Sequence, residues 1–207
     1  MAEQRAWVVD VDDDGQEIVF ATSEGRARVL GARLVGDDPR EVTVRHEPRF
    51  DAHAPGPVPA DALLAAGWWL TCGWCEHHVT EEGCHTCAED AEDEGTSAPE
   101  PVTHGTSAWC STAHRDADRE DRAERRQREA TARAAALARL PDAEVESASA
   151  TSDGGATVHL RVPGCRGTVT YEWPAGTCLV QPRDVPVVLA LSSRTALATW
   201  ESEGGAR

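Results

Sequence analysis

Four cysteines within sixteen residues constrain this chain more than anything else in it. Cys72, Cys75, Cys84 and Cys87 spell C-x2-C-x8-C-x2-C. Each C-x2-C closes one tight turn that aims two sulfurs at a common point, and the backbone N–H groups of such a turn hydrogen-bond the sulfurs. Two facing turns supply four soft ligands at tetrahedral angles, a set that suits Zn2+ at about 2.3 Å per Zn–S bond. The stretch between them has room for a short hairpin, with His77, His78 and Val79 going out and Glu81-Glu82-Gly83 turning. A closed four-sulfur site leaves no open position for water or substrate, so its ion holds the fold and does no chemistry. The surrounding segment has few large side chains to form a core, and metal binding contributes on the order of 10 kcal/mol to folding a region of that kind.

The ligand set has rivals. Cys110 and His114 stand four apart at the start of a long helical stretch, so they share one helix face. An ion can then be held by Cys72, Cys75, Cys110 and His114, leaving Cys84 and Cys87 surplus. A third arrangement brings all six to two ions; in a fourth, Cys110 and His114 only pack nearby. The compact four-cysteine site is preferred slightly, because its loop closure is short and costs little entropy. His77, His78, His85 and His104 are substitutes on paper but read as exposed loop histidines. Cys165 and Cys178 fit no ligand spacing and read as small core residues or free thiols. The seven cysteines are an odd number, and the start MAEQRAWVVDVDDD lacks the signal-peptide pattern. Both features argue against a disulfide framework. A redox reading of C-x-x-C lacks the βαβ context it needs.

Composition narrows the rest. Among 207 residues, 36 are acidic and 20 basic, a formal charge of −16. That disfavours coating DNA, which needs a basic surface to release counterions. Every basic residue is Arg, Lys and Asn are missing, and Ile18 is the lone isoleucine. The skew is that of a GC-rich genome, such as an actinobacterium's or its phage's. No apolar run reaches the length of a membrane span. The expected location is the cytoplasm, the host's if the gene is a phage's.

The expected class is α+β, with two small hairpin-plus-helix units flanking a Cys-rich zinc module and a long charged helix. Residues 1–51 read as the first unit. Trp7–Val11 and Ile18–Phe20 form a hairpin around Asp12-Asp13-Asp14-Gly15. Thr22 or Ser23 caps a helix from Glu24 to about Leu34, and a third strand alternates over 41–49. Residues 52–60, rich in proline, form a loop. The zinc module covers 61–114, opening on a short helix over 62–66 capped by Asp61. Within it, 88–108 is acidic and poor in large apolar groups, which predicts a loop without order of its own. Residues 142–201 form the second unit. Strands lie around 158–162, 169–171 and 179–180, after a turn at Asp153-Gly154-Gly155. An apolar helix over 187–200 closes it, with Leu191, Ala198 and Trp200 inward.

The charged helix covers 115–140 and stops at Pro141. Asp118–Arg122, Asp121–Arg125, Glu124–Arg128 and Glu129–Arg133 are acid-before-base pairs at i,i+4, the favoured orientation. The stretch can therefore be helical without burying a face, as a solvated spacer. Alternatively, Arg125, Arg126 and Arg128, its densest positive point, touch a phosphate backbone or an acidic partner. Four of the seven tryptophans crowd the zinc module: Trp68, Trp69, Trp74 and Trp109. Trp69 and Trp109 are expected to dock the module on its neighbours. Trp74, inside the first turn, is the candidate for exposure and contact with a partner.

The run Leu70-Thr71-Cys72-Gly73-Trp74-Cys75 through Cys84-His85-Thr86-Cys87 resembles zinc ribbons. Trp109-Cys110-Ser111 stepping into a helix resembles the second half of treble-clef fingers, which usually carry Cys where this chain has His114. The order of parts is similar to small zinc-binding proteins encoded by phages and prophages. The resemblance covers about half the chain and implies metal binding without enzymatic activity. The expected function is a non-enzymatic, zinc-stabilised protein-interaction module with no membrane role. The alternative is a nucleic-acid-associated accessory protein using the zinc module and the Arg-rich helix. An enzymatic reading finds no H-N-H or H-x-E pattern with an open metal position, only His77-His78 beside Glu81 and Glu82.

Overall fold

The computed structural model describes residues 3–11 and 15–202, the side chains of 194–202 excepted. It is α+β and divides into two compact units, residues 1–118 and 119–207.

In the first unit, β1 (Arg5–Asp10) and β2 (Gln16–Ala21) form the expected hairpin, with Trp7 opposite Val19. The Asp12–Asp14 part of its turn lies outside the described residues. α1 (Glu24–Val35) starts at Ser23, whose Oγ accepts the Arg26 N–H at 3.4 Å. It stops at Gly36, whose φ of 81° lets its N–H return to the Ala32 carbonyl. Ala27, Gly31 and Ala32 face Val9, Val19 and Val42, so small helix residues meet branched residues of β1, β2 and the segment leading into the third strand.

β3 (Val44–His46) pairs with the other edge of β1 and is shorter than expected. Pro48, which has no N–H for a ladder, instead opens a 3-10 turn over Pro48–His53 that buries Phe50. Asp51 fastens this turn to the sheet by accepting the Ala6 N–H at 2.7 Å. That bond holds the Asp51 carboxyl below its ordinary value against the opposing effect of burial, and His46 adds to it. Beside it, buried Glu47 takes Arg49 at 2.9 Å and Arg45 at 2.8 Å.

α2 (Ala60–Ala65) begins two residues before the expected start, directly after Pro59. Asp61 lies inside its first turn rather than at its cap. The Ala60 N–H reaches the Gly105 carbonyl at 2.8 Å. β4 (Leu70–Thr71) and β5 (His78–Val79) then pair across the first cysteine turn.

Residues 88–108 depart from the expected acidic loop. α3 (His85–Asp93) spans their start, and β6 (Val102–His104) pairs with β7 (Ser107–Trp109) at their end. Composition alone offers this segment little to bury. The order comes from its neighbours: Cys84 and Cys87 anchor α3, Ala91 is buried beneath it, and Ala108 and Trp109 join the core around Val79 and Leu64.

α4 (Thr112–Arg139) starts in the first unit and ends in the second. At 1.5 Å per residue it is about 42 Å long. In the second unit its Ala132 and Ala136, with Leu140 just beyond, pack against Val158, Leu160, Val169 and Tyr171. Those residues belong to an antiparallel sheet ordered β11-β10-β9-β8. Its strands are β8 (Glu144–Ala150), β9 (Ala156–Arg161), β10 (Val169–Trp173) and β11 (Thr177–Leu179). β8 has little strand signal of its own, since Glu-Val-Glu-Ser-Ala-Ser-Ala has one branched apolar residue. Its strand character comes from pairing with β9, with an irregularity between Val145 and Ser147.

The turn at Asp153–Gly155 forms as expected, with Gly154 at φ 86°. α5 (Val185–Ser202) follows Asp184, whose buried carboxylate accepts the N–H groups of Arg166 and Gly167 at 3.1 Å each. Ala198 and Trp200 lie outside the residues whose side chains are described. No helix among the described residues is long and apolar enough to cross a membrane.

Candidate metal centre

The first cysteine turn hangs from β4. The Cys72 N–H bonds the His77 carbonyl at 2.8 Å, the Glu76 N–H returns to the Cys72 carbonyl at 3.3 Å, and Glu76 adopts a left-handed φ of 63°. The Gly73 N–H reaches the Ala108 carbonyl on β7 at 3.1 Å, which sets the turn beside Cys110. Burial opposes ionisation of Cys72, but the N–H groups of Cys75, Cys110 and Trp74 converge on its sulfur and bring the thiol down to about 6. These are the turn N–H bonds that C-x2-C spacing implies, with one more donated by Cys110.

The second pair sits on a helix start. Cys84 is the extended residue before α3, and Cys87 lies in its first turn. Cys110 is wholly buried after β7. Ser111 caps α4 by accepting the His114 N–H at 3.0 Å, which fixes the turn that carries the imidazole.

Among the described residues, one group of four has its ligand atoms all within 4.8 Å of one another: Cys72, Cys75, Cys110 and His114. Cys72 Sγ lies 3.8 Å from His114 Nδ1, and Cys75 Sγ lies 3.6 Å from Cys110 Sγ. The all-cysteine quartet of Cys72, Cys75, Cys84 and Cys87 does not recur as such a group. Instead, Cys84 and Cys87 gather with Cys110, and Cys75 and Cys87 gather with His77. Cys75 and Cys87 are 4.0 Å apart. Buried and surrounded by other sulfurs, Cys110 has its thiol pushed far up, and Cys87, half-buried beside Cys84, is pushed up to about 12. Thiols this close oppose one another's ionisation, and a bound cation would relieve that repulsion. The arrangement is one that could hold a metal ion.

The other histidines of the region are engaged elsewhere or exposed. His78 stacks on Trp69 with centroids 3.8 Å apart, and exposed His85 pairs with Glu89 at 3.2 Å. Trp69 is 42% exposed, so its stacking partner is a surface histidine rather than a neighbouring core. Trp74 is 46% exposed. Trp109 is buried, and its Nε1 donates to the buried Asp118 carboxylate at 3.1 Å. That bond ties the cysteine turn's backing to α4. The i,i+4 pairing with Arg122 does not reveal this buried role of Asp118; its spacing of four from His114, hence one helix face, is the available signal.

Further along α4, Arg125 pairs with Asp121 at 2.6 Å and Arg128 with Glu124 at 3.9 Å, while Arg126 is exposed. Glu129 accepts the Ala150 N–H at 3.2 Å. Cys165 and Cys178 are half-buried in the second unit, with thiols pushed up by burial.

Comparison with protein-family models, curated proteins and solved structures finds no match to this chain. The arrangement of these cysteines and His114 supports metal binding and no particular family.

Proposed function

We propose that this chain is a non-enzymatic, zinc-stabilised protein-interaction module. The observation that carries the reading is the convergence of Cys72, Cys75, Cys110 and His114 from a hairpin turn and a helix start. Three sulfurs and an imidazole form a closed set that suits zinc at tetrahedral angles and leaves no position for a substrate. The ion's role is then to weld the turn, β7 and α4 together in a region whose own apolar core is thin. A phage origin agrees with the order of parts and with the arginine-only basic composition.

Two features support a protein partner. Trp69 and Trp74 present aromatic surface beside the metal turn, the residue type that anchors protein interfaces. On α4, Arg125 and Arg128 are paired with carboxylates one turn back, which offsets part of the positive charge at the helix's densest arginine cluster and weighs against phosphate contact.

Elemental analysis of the purified full chain tests the first part: zinc is expected, and its removal by a chelator is expected to unfold the cysteine region. A chain free of metal, or one whose circular dichroism ignores chelation, refutes it. A photo-crosslinking side chain at position 74 tests the second. Crosslinks to protein are expected in cells, and crosslinks to nucleic acid would replace this reading.

A further inference from the structure

The metal reading accounts for four ligands, yet six candidate ligands are gathered in one place. Four thiolates about 2.3 Å from a zinc ion at tetrahedral angles stand about 3.8 Å apart. The observed separations of this size include one that a single site does not explain. Cys72 to His114 (3.8 Å) and Cys75 to Cys110 (3.6 Å) are both edges of the first tetrahedron. Cys75 to Cys87, at 4.0 Å, is not, because Cys87 lies outside that set. Cys84, Cys87 and Cys110 form their own group within ligand reach. Cys110 therefore has ligand atoms close on two sides, Cys72, Cys75 and His114 in one group and Cys84 and Cys87 in the other, and Cys75 also approaches Cys87.

We infer, on the basis of the metal reading above, that the site holds two zinc ions sharing the Cys75 and Cys110 sulfurs. Two separate tetrahedral sites need eight ligands. Two that share an edge need six, and six are present. Cys72 and His114 complete one ion; Cys84 and Cys87 complete the other. The sharing explains why the second C-x2-C, surplus to a single-ion finger, is folded against the first. A thiolate keeps lone pairs after binding one zinc, so a second bond from each bridging sulfur needs no further deprotonation. Five thiolates against two divalent ions leave a net charge of −1, the same as three thiolates around one ion with the other two thiols protonated. His77, near Cys75 and Cys87, is exposed and is not needed to complete either tetrahedron.

Native mass spectrometry of the zinc-loaded full chain reads the count. Two zinc ions per chain are expected. One ion overturns the shared cluster while leaving the single-site reading intact; none overturns both. Iron with visible absorption overturns the zinc cluster in favour of an iron–sulfur one. Replacing Cys84 and Cys87 together by Ser is expected to lower the count from two to one, and His77→Ala is expected to keep two. Two ions retained in the first variant, or one lost in the second, overturns the ligand assignment. Cadmium-113 NMR of the unsubstituted chain does not depend on any variant folding. Two cadmium signals, each coupled to the β-protons of Cys75 and Cys110, are expected; two signals with no cysteine in common overturn the bridge.

Discussion

Gly73 is the residue inside the first cysteine turn that a side chain would most disturb. A Cβ there would stand 2.7 Å from Trp109 Nε1 and 3.4 Å from Asp118 Oδ2, where ordinary contact begins at 3.4 Å. The backbone of Gly73 is not in the left-handed region, so the effect of Gly73→Ala is purely one of space. The indole must retreat by several tenths of an ångström, and its 3.1 Å bond to buried Asp118 lies in the way. Overpacking of this kind costs about 1–3 kcal/mol. Weakening a buried hydrogen bond to a carboxylate costs about 1.5–3 kcal/mol if it is lost outright. The alanine recovers about 0.4–1 kcal/mol by restricting the unfolded chain. The net expectation is a loss of about 3 kcal/mol from the first unit, or a drop in its Tm on the order of 10 °C. Guanidinium unfolding at fixed free zinc, followed by tryptophan fluorescence, measures it; fixing zinc is required because metal binding and folding are linked. Unaltered metal content would show that the ligands themselves are intact. A midpoint within about 0.5 kcal/mol of the parent, the scatter of a neutral surface change, would refute the packing argument.

On α1, alanine at two glycines is expected to act with opposite signs. Gly31→Ala meets Val9 at 2.7 Å and Val42 at 3.0 Å and should destabilise by about 1 kcal/mol net, whereas Gly25→Ala meets nothing within 4 Å and should stabilise by up to about 1 kcal/mol. Thermal melts of the pair decide it, and equal shifts would count against the packing of α1 on the sheet. The Arg49 guanidinium, with Arg45, holds buried Glu47 at about 2 in spite of its burial. Because that folded-state value lies below the ordinary 4.5, the stabilisation is present above 4.5 and is lost as pH falls from there through about 2. Glu47→Gln should cost about 2 kcal/mol at pH 6, allowing for solvent around the two half-exposed arginines, with the gap to the parent narrowing in urea titrations towards pH 3. A gap independent of pH would refute the ion-pair account. Cys110→Ser should abolish metal binding and unfold the cysteine region at a cost on the order of 10 kcal/mol, seen as loss of structured amide signals in NMR; retention of a full metal complement would remove Cys110 from the site.

The sequence by itself determined the local pieces. Alternation and turn residues specified the first hairpin, and the capping pair Thr22-Ser23 with its following pattern specified α1. Acid–base spacing specified α4, and the paired C-x2-C turns specified that sulfurs would be presented two at a time. These properties depend on residues close together in the chain, where backbone geometry alone relates them. Which sulfurs meet was not of that kind. Loop length favoured Cys84 and Cys87 as partners of Cys72 and Cys75, but the Gly73 N–H bonds Ala108 and the Asp118 carboxylate holds Trp109. Those two ties set Cys110 and His114 against the first turn and make Cys110 the sulfur common to both sides. Order in 88–108 and in β8 likewise came from tertiary structure, because neither stretch carries enough apolar surface to specify itself. Each is ordered by what a distant segment places against it: a cysteine cluster and Val79 for the one, and the β9 edge for the other.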